Sequence, residues 1–404
     1  MTETLSYSQW IDYLFAKSTQ PGLPLSGTFE LTARCNLDCR MCYIHKREND
    51  AAAARKELSA GEWLKLARAA QERQMLLLLL TGGEPLLRPD FREIYKGCQD
   101  LGFLLSINTN GSLLDEKMVD FFRENPPLRV NITLYGASPE TYGRLCGDPS
   151  VCGRAYRAVL ALKEAGIRVK LNYSATPWNV QDLPAVYEFA RANKLLIQTA
   201  SYMFPPVRAR ERGNAYGVAR QRFQEPGCDT ACQSSQELEC EAARLTPQEA
   251  GQVRWEYEIY RYEKEKLKER TERMLAGLAV REMEECQEFP TERIRCRAGA
   301  TTFWITYDGQ MRPCGMMSQP TVDVREKGFG PAWDYIRGER EKILLPARCT
   351  ACKWKEVCEF CPAVTYAETG KFTGVPDYLC DKTQAFLQAG AQWLDQERKA
   401  EKRE

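Results

Sequence analysis

Short apolar runs recur along the first half of the chain, each followed by a stretch with helical periodicity. Thr28 to Leu31 reads as a short strand that ends at a group of cysteines. Ser59-Ala60-Gly61-Glu62 is a capping box, with Trp63, Leu64 and Leu66 following on a helix that runs to about Arg73. Met75 to Leu80 is the longest strongly apolar run; it is too short to span a bilayer and reads as a buried strand. Asp90 caps a helix that stops before Gly102. Strands follow at Phe103 to Ile107, Leu128 to Leu134, Ile167 to Tyr173 and Leu195 to Ala200. Between them lie helices at Leu114 to Arg123, Gly153 to Ala165 and Leu183 to Ala192. Repeated strand–helix units of this length predict an α/β fold with a parallel sheet, open or barrel-like.

The pattern breaks after Phe204-Pro205-Pro206. Val207 to Arg222 is basic and irregular, and Cys228 to Cys240 is polar with three cysteines. Thr246-Pro247-Gln248-Glu249 combines a capping box with proline at the first helical position, and a long charged helix is expected from there towards Glu285. Trp255, Ile259, Tyr262 and Lys266 make no clean apolar stripe, so that helix should be only half buried. From Thr291 little helix is expected until Asp381, and the tail from Gln388 to Glu404 reads as a polar helix that frays. Phe303 to Tyr307 and Gln310 to Arg312 flank Asp308-Gly309, a strong hairpin signal. The chain therefore divides into a lead-in (1–25), an α/β region (26–205), a bridge (206–290) and a cysteine-rich region with a C-terminal helix (291–404).

Composition narrows the chemistry. A chain of 404 residues exceeds one ordinary core, and 44% hydrophobic residues suffice for more than one. Charged residues are 27% and balance to +1, which gives no reason to expect a nucleic acid or an anionic membrane as partner. Met1-Thr2-Glu3-Thr4 has no basic stretch and no apolar run behind it, so a secretory signal is not expected and a cytoplasmic location is. Seventeen cysteines stand against one histidine. In a long chain without a signal, thiolate metal ligands explain them better than disulfides. Catalytic zinc usually keeps histidine ligands, whereas iron–sulfur clusters are held by cysteine.

Cys35, Cys39 and Cys42 have the spacing C-x3-C-x2-C. Three thiolates can hold three irons of a cubane and leave the fourth open to an external molecule. A zinc knuckle with His45 as fourth ligand is the competing reading of the spacing alone. Thr81-Gly82-Gly83-Glu84-Pro85 ends the second strand, and its glycines let the backbone approach a ligand closely. Asn108-Thr109-Asn110-Gly111 ends the third strand and Ile132-Thr133-Leu134-Tyr135-Gly136 the fourth. Ligand sites gather at the carboxyl ends of parallel strands, so these segments support one pocket.

The C-x3-C-x2-C motif with Tyr43 after the third cysteine, followed by Gly-Gly-Glu at a strand end, resembles the radical S-adenosylmethionine (radical SAM) superfamily. The resemblance implies a partial (β/α)6 barrel over roughly residues 26–205. It implies a 4Fe–4S cluster on Cys35, Cys39 and Cys42, with S-adenosylmethionine contacted by Tyr43, Gly82, Gly83, Glu84, Asn108, Asn110, Thr133 and Tyr135. Glu84 would accept from the methionine amino group, and Thr133 stands where many members carry a cofactor-contacting serine. Reductive cleavage would yield a 5′-deoxyadenosyl radical that abstracts hydrogen from a substrate carbon. An external low-potential electron donor and oxygen sensitivity, hence anaerobic growth, follow.

A second set comprises Cys296, Gly309-x4-Cys314, Cys349-x2-Cys352-x5-Cys358-x2-Cys361 and Cys380. It resembles the SPASM extension, a small auxiliary-cluster domain with two further 4Fe–4S clusters, making three in all; a zinc ribbon is the alternative. The resemblance assigns Cys349, Cys352, Cys358 and Cys380 to one cluster and Cys296, Cys314 and Cys361 to the other. The fourth ligand of the latter is either Cys286 or an open site. Cys228, Cys232 and Cys240 hold another metal, contact a substrate or are loop thiols. Cys98, Cys146 and Cys152 read as packing residues, and His45 as a surface residue beside the cluster.

SPASM-bearing relatives mostly modify ribosomally made peptides by thioether or carbon–carbon crosslinks, epimerisation or rearrangement. The segment from Leu134 to Tyr142 is like that of peptide-modifying members, so the expectation is an oxidoreductase-type peptide maturase. Sulfatase-maturing members carry an aspartate after the cysteine matching Cys314; Gly315 stands here and counts against that reaction. Only 34 residues precede Cys35, too few for a leader-binding module, so a separate leader-binding protein, the bridge, or no leader recognition is expected. Oxidation of a small molecule is the second enzymatic reading, and a zinc or electron-transfer protein the non-enzymatic one. The sequence singles out no catalytic acid, base or radical relay.

Overall fold

A computed structural model describes residues 7–44, 46–204, 242–280 and 292–402. His45, Cys228, Cys232, Cys240, Cys286 and most of the expected bridge lie outside the described residues. The strands of the main sheet are β1 (Ser26–Glu30), β2 (Leu77–Thr81), β3 (Leu104–Thr109), β4 (Arg129–Leu134), β5 (Val169–Ser174), β6 (Leu196–Ala200), β7 (Thr302–Ile305), β8 (Gln310–Arg312) and β9 (Val322–Asp323). Their order in the sheet is β9-β8-β7-β1-β2-β3-β4-β5-β6. The main helices are α1 (Tyr7–Thr19), α2 (Ala60–Glu72), α3 (Phe91–Asp100), α4 (Glu116–Glu124), α5 (Pro139–Cys146), α6 (Val151–Glu164), α7 (Leu183–Ala192), α8 (Pro247–Arg261), α9 (Lys264–Val280), α10 (Phe329–Arg340), α11 (Pro362–Thr369) and α12 (Asp377–Glu401).

Two compact units partition the chain. The first comprises Met1–Leu134, Ser138–Leu171 and Arg295–Lys342, and the second Tyr135–Ala137, Asn172–Ile294 and Ile343–Glu404. In the first unit β1 pairs parallel with β2, β2 with β3 and β3 with β4, in the registers Ser26↔Leu77, Leu77↔Leu104 and Ser106↔Arg129. Alternation along each strand separates two faces. Phe29, Leu80, Ile107, Val130 and Ile132 form the apolar one, fully buried, with Phe29 packed on Trp63 of α2 at a ring-centroid distance of 4.8 Å. The sequence expectation for α2 holds in detail. The Ser59 N–H donates to Glu62 Oε2 at 2.8 Å, and the Glu62 N–H to Ser59 Oγ at 3.3 Å.

The hairpin expected at Asp308-Gly309 is present, with Gly309 at φ +85°. Its first strand, β7, pairs parallel with β1 (Ser26↔Thr302), so this segment extends the main sheet. Helix α10 was not expected; Phe329, Ala332, Trp333 and Ile336 bury one face of it at helical spacing.

In the second unit the long helix expected from Thr246 is two, α8 and α9, because the chain turns extended at Tyr262 (φ −121°, ψ 141°). Trp255 before the break and Leu267 after it bury in one cluster with Phe386 and Leu387 of α12, which the fold-back makes possible. A Cβ on Gly251 would stand 2.7 Å from the Phe386 N and 2.8 Å from the Lys382 O, so glycine there sets the close approach of α8 and α12. The C-terminal helix continues to Glu401, tied to α9 by Lys264–Glu397 (2.5 Å) and Lys268–Glu401 (2.5 Å). Among the described residues no helix is long and apolar enough to cross a membrane.

Candidate metal and cofactor site

The loop carrying Cys35, Cys39 and Cys42 leaves the carboxyl end of β1 in the first unit. Its base is held by the Gly-Gly-Glu segment. The Gly83 N–H donates to Thr32 O at 2.7 Å and the Glu84 N–H to Arg34 O at 2.9 Å. A Cβ on Gly82 would meet Thr32 O at 2.6 Å, and one on Gly83 would meet Arg34 O at 2.4 Å and Ala33 O at 2.5 Å. The close approach that requires these glycines is thus made to the chain leading into Cys35. Behind it Arg34 pairs with Glu57 (2.8 Å), and Arg88 donates to Leu31 O (2.8 Å) and pairs with Asp90 (2.6 Å).

Glu84 is fully buried. Its carboxylate accepts from the Leu86 N–H (3.0 Å), the Thr109 hydroxyl (2.9 Å) and the Asn110 N–H (2.8 Å). It therefore bolts the end of β2 to the end of β3. Three donors leave one acceptor position of four for a donor from outside. Burial pushes the Glu84 carboxyl up to about 7, against the hydrogen bonds from Asn110, Leu86 and Thr109, which favour the charged form.

Asn110 was expected to touch the cofactor. Its side chain Nδ2 donates to Asn36 Oδ1 at 3.0 Å and points at Cys35 Sγ at 3.8 Å, while its Oδ1 accepts from the Ser112 N–H at 2.8 Å. Asn36 Nδ2 donates in turn to Ser112 Oγ at 2.9 Å. With the Leu37 N–H 3.4 Å from the same sulfur, two donors are aimed at Cys35. Donors at a sulfur suit a thiolate, so this cradle fits a cluster ligand. Burial, then the Glu84 charge, pushes the Cys35 thiol well above its usual range, with Cys39 and Cys42 near enough to add to the effect. A proton is thus hard to remove here unless a cation takes its place.

Among the remaining expected contacts, Asn108 Oδ1 accepts from Asn131 Nδ2 at 2.7 Å, and Thr133 lies half-buried near the end of β4. Tyr43 is part-buried against Ala33, Ile44, Ala53 and Tyr307. Burial, then Cys42 and Cys314, raises its hydroxyl, so the structure brings Cys314 towards the Cys42 loop. Tyr135 belongs to the second unit, where its O accepts from Asn179 Nδ2 at 3.0 Å.

Cys296 and Cys314 fall in the first unit; Cys296 is raised by burial, against the Ala298 N–H and the Arg340 charge. A Cβ on Gly315 would stand 2.9 Å from the Trp304 ring, which explains why no side chain occupies that position. In the second unit Cys349, Cys352, Cys358 and Cys380 act on one another electrostatically. Burial, then the neighbouring thiols, pushes Cys349 up to about 12 and Cys380 up to about 11. Cys361 packs beside Tyr202, Val364 and Leu379. Cys98, Cys146 and Cys152 are buried. Among the described residues no three His, Cys, Asp or Glu side chains are arranged around a single metal ion.

Sequence reasoning missed Asn36, Ser112 and the Thr109 hydroxyl. The polar run at the end of β3 was the signal for Thr109 and Ser112, and the place directly after Cys35 the signal for Asn36.

Residues 29–190 match the radical SAM superfamily. The chain therefore carries a radical SAM domain over these residues, in agreement with the resemblance read from the C-x3-C-x2-C and Gly-Gly-Glu segments. Over 375 residues it is 24% identical to the AdoMet-dependent heme synthase of Methanosarcina barkeri (strain Fusaro / DSM 804), covering 90% of this chain and 96% of the relative. It is 30% identical over 169 residues to the PqqA peptide cyclase of Granulibacter bethesdensis (strain ATCC BAA-1260 / CGDNIH1), covering 42% of this chain and 44% of the relative. In fold it is similar to Streptococcus suis SuiB bound to precursor peptide SuiA, with a TM-score of 0.59, 16% identity and coverage of 94% of this chain and 82% of that one.

Proposed function

We propose that this chain is a radical SAM peptide maturase that abstracts hydrogen from a ribosomally made peptide to install a modification such as a thioether or carbon–carbon crosslink. The grouping of Cys349, Cys352, Cys358 and Cys380 in the second unit carries the reading. These are the four residues that the resemblance to the SPASM extension, which occurs mainly in peptide-modifying enzymes, assigns to one auxiliary cluster. The fold similarity to SuiB, whose structure holds a precursor peptide, and the local similarity to a peptide cyclase support it.

When bound, the cluster and S-adenosylmethionine supply a 5′-deoxyadenosyl radical. Cys35, Cys39 and Cys42 would hold that cluster. Asn110 and the Leu37 N–H orient Cys35, and Glu84 locks the two strand ends beneath it. In this reading Cys296, Cys314 and Cys361 serve a second auxiliary cluster, and Tyr43, Gly82, Gly83, Thr133 and Tyr135 line the cofactor. An external low-potential donor reduces the clusters, in a cytoplasmic and anaerobic setting.

A second reading acts on a tetrapyrrole, favoured by the match to a heme synthase over nearly the whole of both chains. Anaerobically reconstituted protein, given S-adenosylmethionine, dithionite and the short peptides encoded beside its gene, should yield 5′-deoxyadenosine together with a mass change in one peptide. Product only with a propionate-bearing iron porphyrin would replace the peptide reading with the second.

A further inference from the structure

The face of the sheet turned away from the helices carries a row of polar residues level with the ends of β2 and β3. The register sets Glu30 of β1 beside Thr81 of β2, and Asn108 of β3 beside Asn131 of β4. Leu80↔Ile107 places Thr81 next to Asn108. The Val130 N–H donates to Arg168 O at 2.9 Å, and the parallel ladder this bond defines puts Lys170 of β5 beside Asn131, one strand spacing or about 4.8 Å away. Val169 and Leu171, which flank Lys170, are buried, so Lys170 takes the other face. Arg129, two residues before Asn131, shares that face. The row lies two residues below Asn110, roughly 7 Å beneath the end that holds Cys35.

The row is charge-graded. At the β1 end Glu30 is fully buried and accepts from Trp304 Nε1 at 3.0 Å. At the other end stand two cations, Lys170 of β5 and Arg129 of β4; burial, then the Arg129 charge, pushes the Lys170 ammonium down to about 8. Between them Asn131 is 5% exposed. Its Nδ2 is spent on Asn108, and its Oδ1 is buried without a hydrogen-bond partner among the described residues. A buried carbonyl left so costs about 1–3 kcal/mol unless a ligand supplies a donor.

We propose that Lys170, Arg129 and Asn131 form a subsite for an acidic residue of the peptide substrate, its carboxylate held by the two cations and its backbone N–H by Asn131 Oδ1. This rests on the peptide reading and adds to it the residue class presented beneath the cofactor. An aspartate or glutamate in a peptide offers an anion and an N–H donor a few bonds apart. A porphyrin propionate offers only the anion.

The test uses the anaerobically reconstituted full chain with S-adenosylmethionine bound. The probes are the acetylated, amidated pentapeptide Ala-Ala-Glu-Ala-Ala, its glutamine counterpart, hemin and hemin dimethyl ester, followed by calorimetric titration. The wild type should bind the glutamate peptide at least tenfold more tightly than the glutamine one. Lys170→Met should reduce that preference to within twofold, Lys170→Arg should keep it, and affinity for S-adenosylmethionine should stay within twofold in both. Equal binding of the two peptides to the wild type overturns the subsite but leaves the peptide reading standing, as does an unchanged preference in Lys170→Met. Loss of S-adenosylmethionine binding in Lys170→Met would assign the cations to the cofactor's own carboxylate and overturn the proposal. Binding of hemin over its ester, with neither peptide bound, overturns both the subsite and the peptide reading.

Discussion

The two groups of cysteines are built in different ways. Cys35, Cys39 and Cys42 sit on a loop pinned from below by strand ends. Glycines bring Gly82 and Gly83 against the incoming chain, and Glu84 and Asn110 spend buried polar groups on orientation. Cys349, Cys352, Cys358 and Cys380 sit in short turns and at the start of α12, supported by side-chain charges. Arg254 donates to Val357 O at 2.7 Å, and Lys382 pairs with Glu359 at 2.9 Å. The first group is preorganised by backbone and the second by ion pairs and its own ligands. Preorganisation of the first kind suits a site where an exogenous molecule must be placed accurately. The second kind suits a group whose fold depends on what it binds.

The largest effect expected from this contrast separates the two groups by substitution. Cys39→Ser should reduce 5′-deoxyadenosine formation to background, whereas Cys352→Ser should lower iron and sulfide content yet leave cleavage of S-adenosylmethionine measurable. Equal loss of cleavage in both variants would erase the distinction. A smaller effect concerns Glu84 in cluster-free protein. Its carboxyl is raised from an ordinary 4.5 to about 7, so the protonated form is the one the fold prefers. Its contribution to stability is complete below pH 4.5 and is lost as pH rises to 7, a change of about 3 kcal/mol. The melting temperature should therefore fall between pH 5 and pH 8, and Glu84→Gln should flatten that slope; an identical slope in the variant would remove Glu84 as its cause. Gly83→Ala should cost ~1–3 kcal/mol by overpacking against the Ala33 and Arg34 carbonyls. It should also lower iron retention at the first group alone, read by chelator-induced bleaching.

The sequence disclosed what is local. The two capping boxes at Ser59 and Thr246 and the Asp308-Gly309 turn are each written within a few residues, and the structure places them as read. What joins distant segments was not legible. Nothing near Thr302 announces that β7 will pair with Ser26 to Phe29, and the turn at Tyr262 follows from a shared burial of Trp255 and Leu267 against α12. The same holds in the site. Gly82, Gly83 and Glu84 were visible as a motif, but their partners Thr32, Arg34 and Thr109 come from other strands. Lys170 and Arg129 were hidden because period-two alternation marks a face without saying what that face surrounds.

The pairing of β1 with β7 also has a consequence for synthesis. One side of β1 can be satisfied once β2 has emerged, but its other side waits for Thr302 to Ile305. At roughly 5–20 residues per second that wait is on the order of tens of seconds on the ribosome. During it the nascent chain presents an unpaired strand edge next to the future cysteine loop, an invitation to wrong partners that a ribosome-bound chaperone can shield.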